Sequence, residues 1–438
     1  MKTYRAVLLA VALILGLSTL ALANGLNLNS LGSRALSMGG AFVGLADDFS
    51  TIYWNPAGLS HFKTKHLGFY ATDIIPSGTY LFQQPTDAGL LTVVDAHTKT
   101  KHYLSGMLTY YHPINESLVA GIGIYAPSGL GSTWDGDDFK LVTNGISYLL
   151  ESRVGMITIA PGASYRINET VSVGVTLNIN YGMFSIKRWA GTAEVSGYGE
   201  LDLGQFEESL NGWGIGATFG ALYKPNDQLS FGLTVRTPSK LNLSGTVNIE
   251  NIDLLGANFK NESEADMSLT MPWWIAGGVA YRPMTDLVVT ADLQWTQWSK
   301  VKELVTEYQD AYWDLLMTGS GENVVPMRWK NALQIRVGAE YMLYQNVALR
   351  AGYYYDPTPV PDSTMNVLLP CFTFNGITLG LGYNLNGLQI DFGFEMLFGN
   401  KRQVDFAKWV YDPNYASAMP GDYTMNLYVP TISVGYKF

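Results

Sequence analysis

The sequence predicts an all-β protein, a transmembrane antiparallel up-and-down β-barrel of about fourteen strands with a small N-terminal plug inside it. Three observations lead there. The last thirteen residues alternate apolar Tyr428, Ile432, Val434, Tyr436 and Phe438 with Thr431, Ser433, Gly435 and Lys437. Such a strand has one greasy and one polar face, and here it stops on an aromatic, as a strand set between lipid and a wet lumen does. Strand-like segments recur along the chain, joined alternately by short turns and long excursions. The amino terminus carries an export signal.

That signal is expected over residues 1–23. Lys2 and Arg5 precede an apolar run from Ala6 to Leu17, and Ala21-Leu22-Ala23 offers small residues where a signal peptidase cuts. The run is shorter than the roughly 20 residues a spanning helix needs, and no later stretch is long and apolar enough to be one. Mean hydropathy is only +0.07, so any crossing must be made by strands. The 46 glycines and 13% aromatic residues suit close strand packing and interfacial girdles. The formal charge of −10 becomes −12 once Lys2 and Arg5 leave with the signal, and no basic run exists, which argues against nucleic acid as a partner. A single cysteine, Cys371, can form neither a disulfide framework nor a multi-cysteine metal site. No metal and no cofactor is expected.

In order, alternation places strands near residues 66–75, 102–111, 117–125, 154–166, 170–184, 212–224, 228–240, 273–283, 286–298, 333–344, 347–356, 376–384, 388–398 and 426–438. Leu287, Val289, Ala291, Leu293 and Trp295 share one face against Thr290, Asp292, Gln294 and Thr296, and Leu388, Ile390, Phe392, Phe394 and Met396 share another against Gln389, Asp391 and Glu395. Short turns fall at residues 112–116, 167–169, 225–227, 284–285, 345–346 and 385–387, and all carry polar, Gly or Pro residues. Long excursions start near residues 76, 126, 185, 241, 299, 357 and 399. Residues 66–438 are therefore expected to form the barrel. Residues 24–65 do not fit the strand scheme and read as the plug, since irregular backbone at membrane depth is tolerated only where it is shielded from lipid.

Gly32-Ser33-Arg34-Ala35-Leu36-Ser37-Met38-Gly39-Gly40-Ala41-Phe42-Val43, then Ala46-Asp47-Asp48 and Asn55-Pro56-Ala57-Gly58-Leu59, resemble the N-terminal hatch of FadL-type outer-membrane transporters of long-chain fatty acids and aromatic hydrocarbons. The likeness continues through Tyr125-Ala126-Pro127-Ser128-Gly129-Leu130 and Gly220-Ala221-Leu222-Tyr223 to Phe438. The resemblance implies a monomeric barrel that captures hydrophobic molecules at extracellular loops, passes them to a lumenal pocket and releases them sideways through a gap at a kinked third strand. It also makes Asn55, Pro56 and Ala57 the hatch segment beside that gap, and Leu26 an apolar residue reaching into the pocket. Expected surroundings are outer-membrane lipid and lipopolysaccharide, with Phe438 as the mark for the barrel-assembly machinery.

Other candidate sites follow from the residues themselves. Gly121 and Gly123 make the third strand easy to kink, or simply leave room for the plug. Arg236, Arg336 and Arg350 fall on lumenal faces, where each could hold a carboxylate or pair with Asp292, Glu340, Asp391 and Glu395 to anchor the plug. The loop holding Trp134, Phe139, Leu141 and Leu149 is apolar enough to fold into helices over something hydrophobic, either an outer capture groove or its own neighbours. The five histidines, His61, His66, His97, His102 and His112, lack zincin spacing, and no nucleophile elbow is present, so no catalytic residue is expected. The function expected is passive outer-membrane uptake of hydrophobic small molecules. A surface receptor or adhesin, or a porin for polar solutes, are the alternatives.

Overall fold

The computed structural model describes residues 25–195 and 199–438, so the expected signal at residues 1–23 lies outside them. Fourteen antiparallel staves close into a barrel. They are β1 (His66–Thr86), β2 (Tyr103–Pro113), β3 (Leu118–Trp134), β4 (Leu150–Arg166), β5 (Val171–Trp189), β6 (Gln205–Tyr223) and β7 (Leu229–Arg236, resumed at Ser239–Ile249). Then come β8 (Glu262–Met271 and Trp274–Met284), β9 (Leu287–Thr296 and Glu303–Tyr308), β10 (Val324–Pro326 and Ala332–Tyr344), β11 (Val347–Asp356), β12 (Phe374–Leu385), β13 (Leu388–Gly399) and β14 (Gly421–Lys437). The seam is β1 against β14, running from His66↔Lys437 up to Leu81↔Asp422. Closure removes the free edges a sheet cannot leave in hydrocarbon.

Alternation sets which face meets lipid. Phe69, Leu233, Leu293, Leu381 and Phe392 are exposed outward, while Tyr70, Thr234, Asp292 and Asp391 are buried inward. Exposed Tyr110, Tyr165, Tyr223, Tyr281, Tyr383 and Tyr436 lie near the short turns, where amphipathic rings suit a membrane interface. Several staves run far past the roughly 9–11 residues a membrane needs; β1 has 21, where the sequence suggested ten. The extra length explains one departure from expectation. The loop after β3 does not fold into helices, because β3 and β4 continue as a hairpin to Trp134↔Leu150, and only a short 3-10 turn, Gly136–Phe139, remains. A helix does form in the loop after β9, at Ala311–Ser320, with Asp310 capping the Tyr312 and Trp313 amides.

The plug fills the lumen. It comprises short helical turns at Ser33–Ser37 and Thr51–Trp54 and a 3-10 turn at Pro56–His61, and its side chains are almost wholly buried. Because its backbone is mostly irregular, its polar groups need partners on the wall. Asp292 on β9 accepts the Phe42 and Val43 amides at 2.8 and 2.9 Å. Thr234 on β7 donates to Trp54 O, Thr378 on β12 to Ser37 O, and Tyr111 on β2 to Phe49 O. Arg34 pairs with Glu340 at 2.7 Å, and Glu340 in turn takes Arg350, which reaches Asp391. Glycines let wall and plug approach: a Cβ on Gly338 or Gly352 would overlap the Met38 and Gly39 backbone.

Burial pushes Asp48 of the plug up to about 6 and, with Lys224 nearby, His61 down to about 4. The two oppose each other. Between pH 4 and 6 the raised Asp48 makes the fold lose stability as pH rises, whereas the depressed His61 makes it gain. Asp48→Asn removes the first effect, so the protection of amides 48–55, taken relative to their intrinsic exchange rate at each pH, should rise more from pH 4.5 to 6 in the variant than in the parent. Asp292→Ala strands two buried amides and should speed exchange at Phe42 and Val43 by roughly one to two orders of magnitude while the barrel stays heat-modifiable on gels.

Candidate functional site

One interruption of the wall lies between β2 and β3. The β2–β3 ladder runs from Pro113↔Val119 up to Met107↔Tyr125 and stops. Above that, Tyr103 to Gly106 stay paired with β1 but have no ladder partner on β3. The cause is local: the register of β3 against β4 shifts between Tyr125 and Ser128, across Ala126-Pro127, and a proline has no N–H to give a ladder. Contact resumes higher up, where Lys99 N donates to Thr133 O and Thr98 bridges Trp134. Between these limits the wall has a window.

The beginning of the described chain covers part of the vacated edge. Leu28 N donates to Pro127 O at 2.9 Å, Gly129 N donates to Leu26 O at 3.1 Å, and Asn27 bridges Ser128. This short strand addition satisfies backbone that β2 has left.

A cavity of about 610 Å³ passes through the window. Its inner lining includes Leu28, Leu36, Tyr70, Met107, Phe372 and Leu397, and its outer lining includes Phe69, Leu104, Leu108, Ile124 and Ile157. Leu104 is 81% exposed and Leu108 48% on the lipid side, while Leu36, Tyr70 and Met107 are buried. One space therefore joins the lumen to the hydrocarbon-facing surface. Its polar lining comprises Asn29, Ser30, Thr72, Ser105, Asp356 and Glu395, among others, and the Asn29 Oδ1 and Ser30 Oγ atoms have no hydrogen-bond partner among the described residues.

The residues singled out in the sequence take the following places. Gly121 and Gly123 lie below the window in regular ladder, paired with Tyr111 and Thr109 on one side and Gly162 and Ala160 on the other. They make room: a Cβ on Gly121 would strike the Tyr111 ring, and one on Gly123 would meet Ile52 of the plug at 2.9 Å. The break is thus at Ala126-Pro127, a few residues beyond the glycines. Asn55, Pro56 and Ala57 do not border the window either. Asn55 Nδ2 donates to Val43 O and Ala221 O at 3.0 Å each, and Ser164 and Ser172 donate to Ala57 O, so the segment is fixed against β4, β5 and β6.

Leu26 is buried in a separate apolar cluster with Met156, Phe184, Leu241 and Trp298, while its neighbours Asn27 and Leu28 line the cavity. Arg350 is engaged by Glu340 and Asp391. Arg336 donates to Gly39 O and to Gln334 and lies over the Tyr354 ring. Both follow the plug-anchoring alternative. Arg236 makes no ion pair among the described residues; it donates to Tyr53 O at 3.1 Å and is stacked by Tyr53 and Trp274, beside a void of about 30 Å³. None of the three lines the large cavity.

The loop residues divide into two groups. Trp134 donates to Val367 O at 2.8 Å and is buried with Phe139, Tyr80 and Tyr423 in a core under the long loops. Leu141 and Leu149 are 77% and 55% exposed. The four do not form one groove, because the Gly136–Phe139 turn tucks the aromatics inward and leaves the leucines outside. Trp134→Ala should cost about 3–5 kcal/mol and loosen the loop core. Leu141→Ser should leave stability within about 0.5 kcal/mol. Loop amide exchange on the two variants checks both.

Comparison with known proteins agrees with this architecture. Residues 14–438 match the family described as outer membrane protein transport protein (OMPP1/FadL/TodX). Among similar proteins, outer membrane protein P1 of Haemophilus influenzae is 23% identical, covering 94% of each chain. The long-chain fatty acid transport protein of Salmonella typhi is 24% identical, covering 94% of this chain and 95% of that one. Among solved structures, a Pseudomonas aeruginosa FadL homologue superposes with a TM-score of 0.77 at 17% identity, covering 95% of this chain and 100% of the other. The Pseudomonas putida toluene transporter TodX gives 0.69 at 17% identity, covering 94% and 99%. The chain belongs to the OMPP1/FadL/TodX family of outer membrane transport proteins, and it is a β-barrel of the bacterial outer membrane.

Proposed function

We propose that this protein carries hydrophobic small molecules passively across the outer membrane. They are captured at the extracellular loops, held in the lumenal cavity and released sideways into the bilayer through the window between β2 and β3. The observation that carries the reading is the single cavity lined by both lumenal and lipid-facing residues. A solute leaving by that route passes from an apolar slot into hydrocarbon without crossing water, so its apolar surface, worth about 25 cal/mol per Å², never has to be rehydrated. The axial route is filled by a plug hydrogen-bonded around the wall, which disfavours an open porin. Relatives named for long-chain fatty acid transport and for toluene transport support the substrate class at its broadest.

In this reading Leu26 to Leu28 act as the inner leaf of the window, since they occupy the edge of β3 that β2 leaves free. Asn55, Pro56 and Ala57 serve the route indirectly, by holding the plug to β4, β5 and β6 and so keeping the axial path shut. Exposed Leu141 and Leu149 are the parts of their loop available to an incoming apolar ligand, with Trp134 and Phe139 as the core beneath.

The test is to shut the window. Ser105 Oγ donates to Ala126 O at 3.4 Å across its lower corner. A Ser105→Cys, Ala126→Cys pair, oxidised to a disulfide, should lower uptake of a hydrophobic substrate at least about tenfold, and reductant should restore it. Uptake unchanged in protein shown to be cross-linked would send the substrate by another path. Gly121→Leu is a poor substitute, because it drives a side chain into Tyr111.

A further inference from the structure

We infer that residues 357–373 form a strap that gates entry to the cavity from the loop side, with Arg402 as the latch that holds it down. This adds the step between capture and cavity, and it rests on the uptake reading above only for the direction of travel. The strap leaves β11 at Asp356 and returns into β12 at Phe374, with one 3-10 turn at Asp362–Thr364 and prolines at Pro357, Pro359, Pro361 and Pro370. Connections of this length usually run over the surface, because buried irregular backbone must find partners. This one is folded in. Met365, Val367 and Phe372 pack with Tyr80, Trp134 and Tyr423, while Val360, Leu369 and Cys371 pack with Met156, Trp298 and Trp329. The strap thus joins the apolar core at β14, β1 and β3 to the one at β4, β9 and β10. Its Pro370, Cys371 and Phe372 line the cavity, so a solute coming from the loops meets the strap first.

Polar bonds pin the first arm of the strap at several points: Lys330 N donates to Pro359 O, Thr364 Oγ1 to Met327 O and Met419 N to Met365 O, each at 2.9 Å. The second arm is pinned at its start, where Ser132 Oγ and Trp134 Nε1 each donate to Val367 O at 2.8 Å and the Ser152 hydroxyl donates to Leu368 O. Over the cavity the tether changes. Arg402 is buried on a short strand (Arg402–Val404) paired with β14, and it donates to Cys371 O at 2.7 Å, to Val360 O at 2.9 Å and to the Asp362 carboxylate. One guanidinium therefore ties the stretch above the cavity to the pinned arm. Its planar fork can serve all three acceptors at once, and bonds from an ionised donor are roughly twice as strong as neutral ones. The side chains of Leu369 and Phe372 make apolar contacts, which are non-directional, so an apolar solute sliding beneath can replace them without exposing that surface to water. It cannot replace the Arg402 bonds. Those bonds set how readily the strap lifts.

The native thiol allows the strap to be locked with one substitution, because the Thr358 hydroxyl on the pinned arm lies against Cys371. In Thr358→Cys protein oxidised to the disulfide, uptake of radiolabelled oleate by cells should fall at least about tenfold, and reductant should restore it. The same oxidised protein in detergent should bind oleate within about twofold of the reduced form, since the window still admits it. Uptake unchanged in protein shown to be cross-linked overturns the gate, and so does binding lost along with uptake, which would make the strap part of the site and not its door. The latch has a readout that needs no substrate. In outer-membrane vesicles carrying the full-length protein, a charged methanethiosulfonate should modify Cys371 at least about tenfold faster in Arg402→Gln than in the parent, with Arg402→Lys between them. The Gln variant should also take up oleate about twofold faster or more, a gain that a merely structural arginine would not give. Equal labelling, or slower uptake, overturns the latch. Should Arg402→Gln fail to fold, the Lys variant is labelled in its place, and should the parent carry no oleate, labelling alone decides. A locked strap that stops uptake while the cross-linked window does not leaves the gate standing and ends lateral exit; the reverse result does the opposite.

Discussion

The rest of this structure depends on the hydrogen bonding between an irregular plug and the wall that surrounds it. Within a membrane-embedded barrel, backbone that is neither helix nor sheet is stable only if something else meets its donors and acceptors. Here the wall does so from nearly every side: a carboxylate from β9 takes two amides, hydroxyls from β7 and β12 give to carbonyls, and a chain of charges links Arg34 through Glu340 and Arg350 to Asp391. The polar stripe along each stave is the complement of the plug. Asp47 shows the balance of forces within it: burial works against its charge, but Arg34 and Arg282 hold it below the usual carboxylate range.

With the axis filled, the position of the ladder break between β2 and β3 acquires its meaning. Most of the β2–β3 seam is ordinary antiparallel sheet, and one proline-bearing step separates that regular seam from the window. Backbone left open there would be costly in lipid, and the short run from Leu26 to Leu28 reduces that cost by pairing with β3 from inside. Window and inner leaf are thus one device. The cavity they bound is lined largely by apolar residues, with polar groups both at the window, such as Ser105 and Ser128, and at the lumenal end.

The barrel was legible because lipid imposes a period of two on every stave, and a signal that recurs fourteen times survives errors at any one strand. Parity also put Arg336 and Arg350 on the correct face. What they touch was not legible, since Arg350 meets Asp391 across 41 residues and Arg34 meets Glu340 across 306, and no local pattern encodes such pairings. Pro127 was the readable mark of the window, for a proline inside a strand cannot serve both neighbours. Gly121 and Gly123 drew attention because glycine permits a kink, yet close approach of Tyr111 and Ile52 explains them. Loop composition likewise could not separate Trp134 and Phe139, which are buried, from Leu141 and Leu149, which are not.

The lumenal wall is itself hydrophilic. Taken without the plug, Thr234, Asp292, Glu340, Arg350, Thr378 and Asp391 would line a charged, wettable tube of the kind that conducts ions and small polar solutes. The selectivity of this membrane element is therefore not a property of its barrel alone. About forty residues of short helical turns take up that polar surface, and in the lateral-exit reading proposed above the leakiness of the barrel to salts and polar drugs would follow how firmly that segment stays seated.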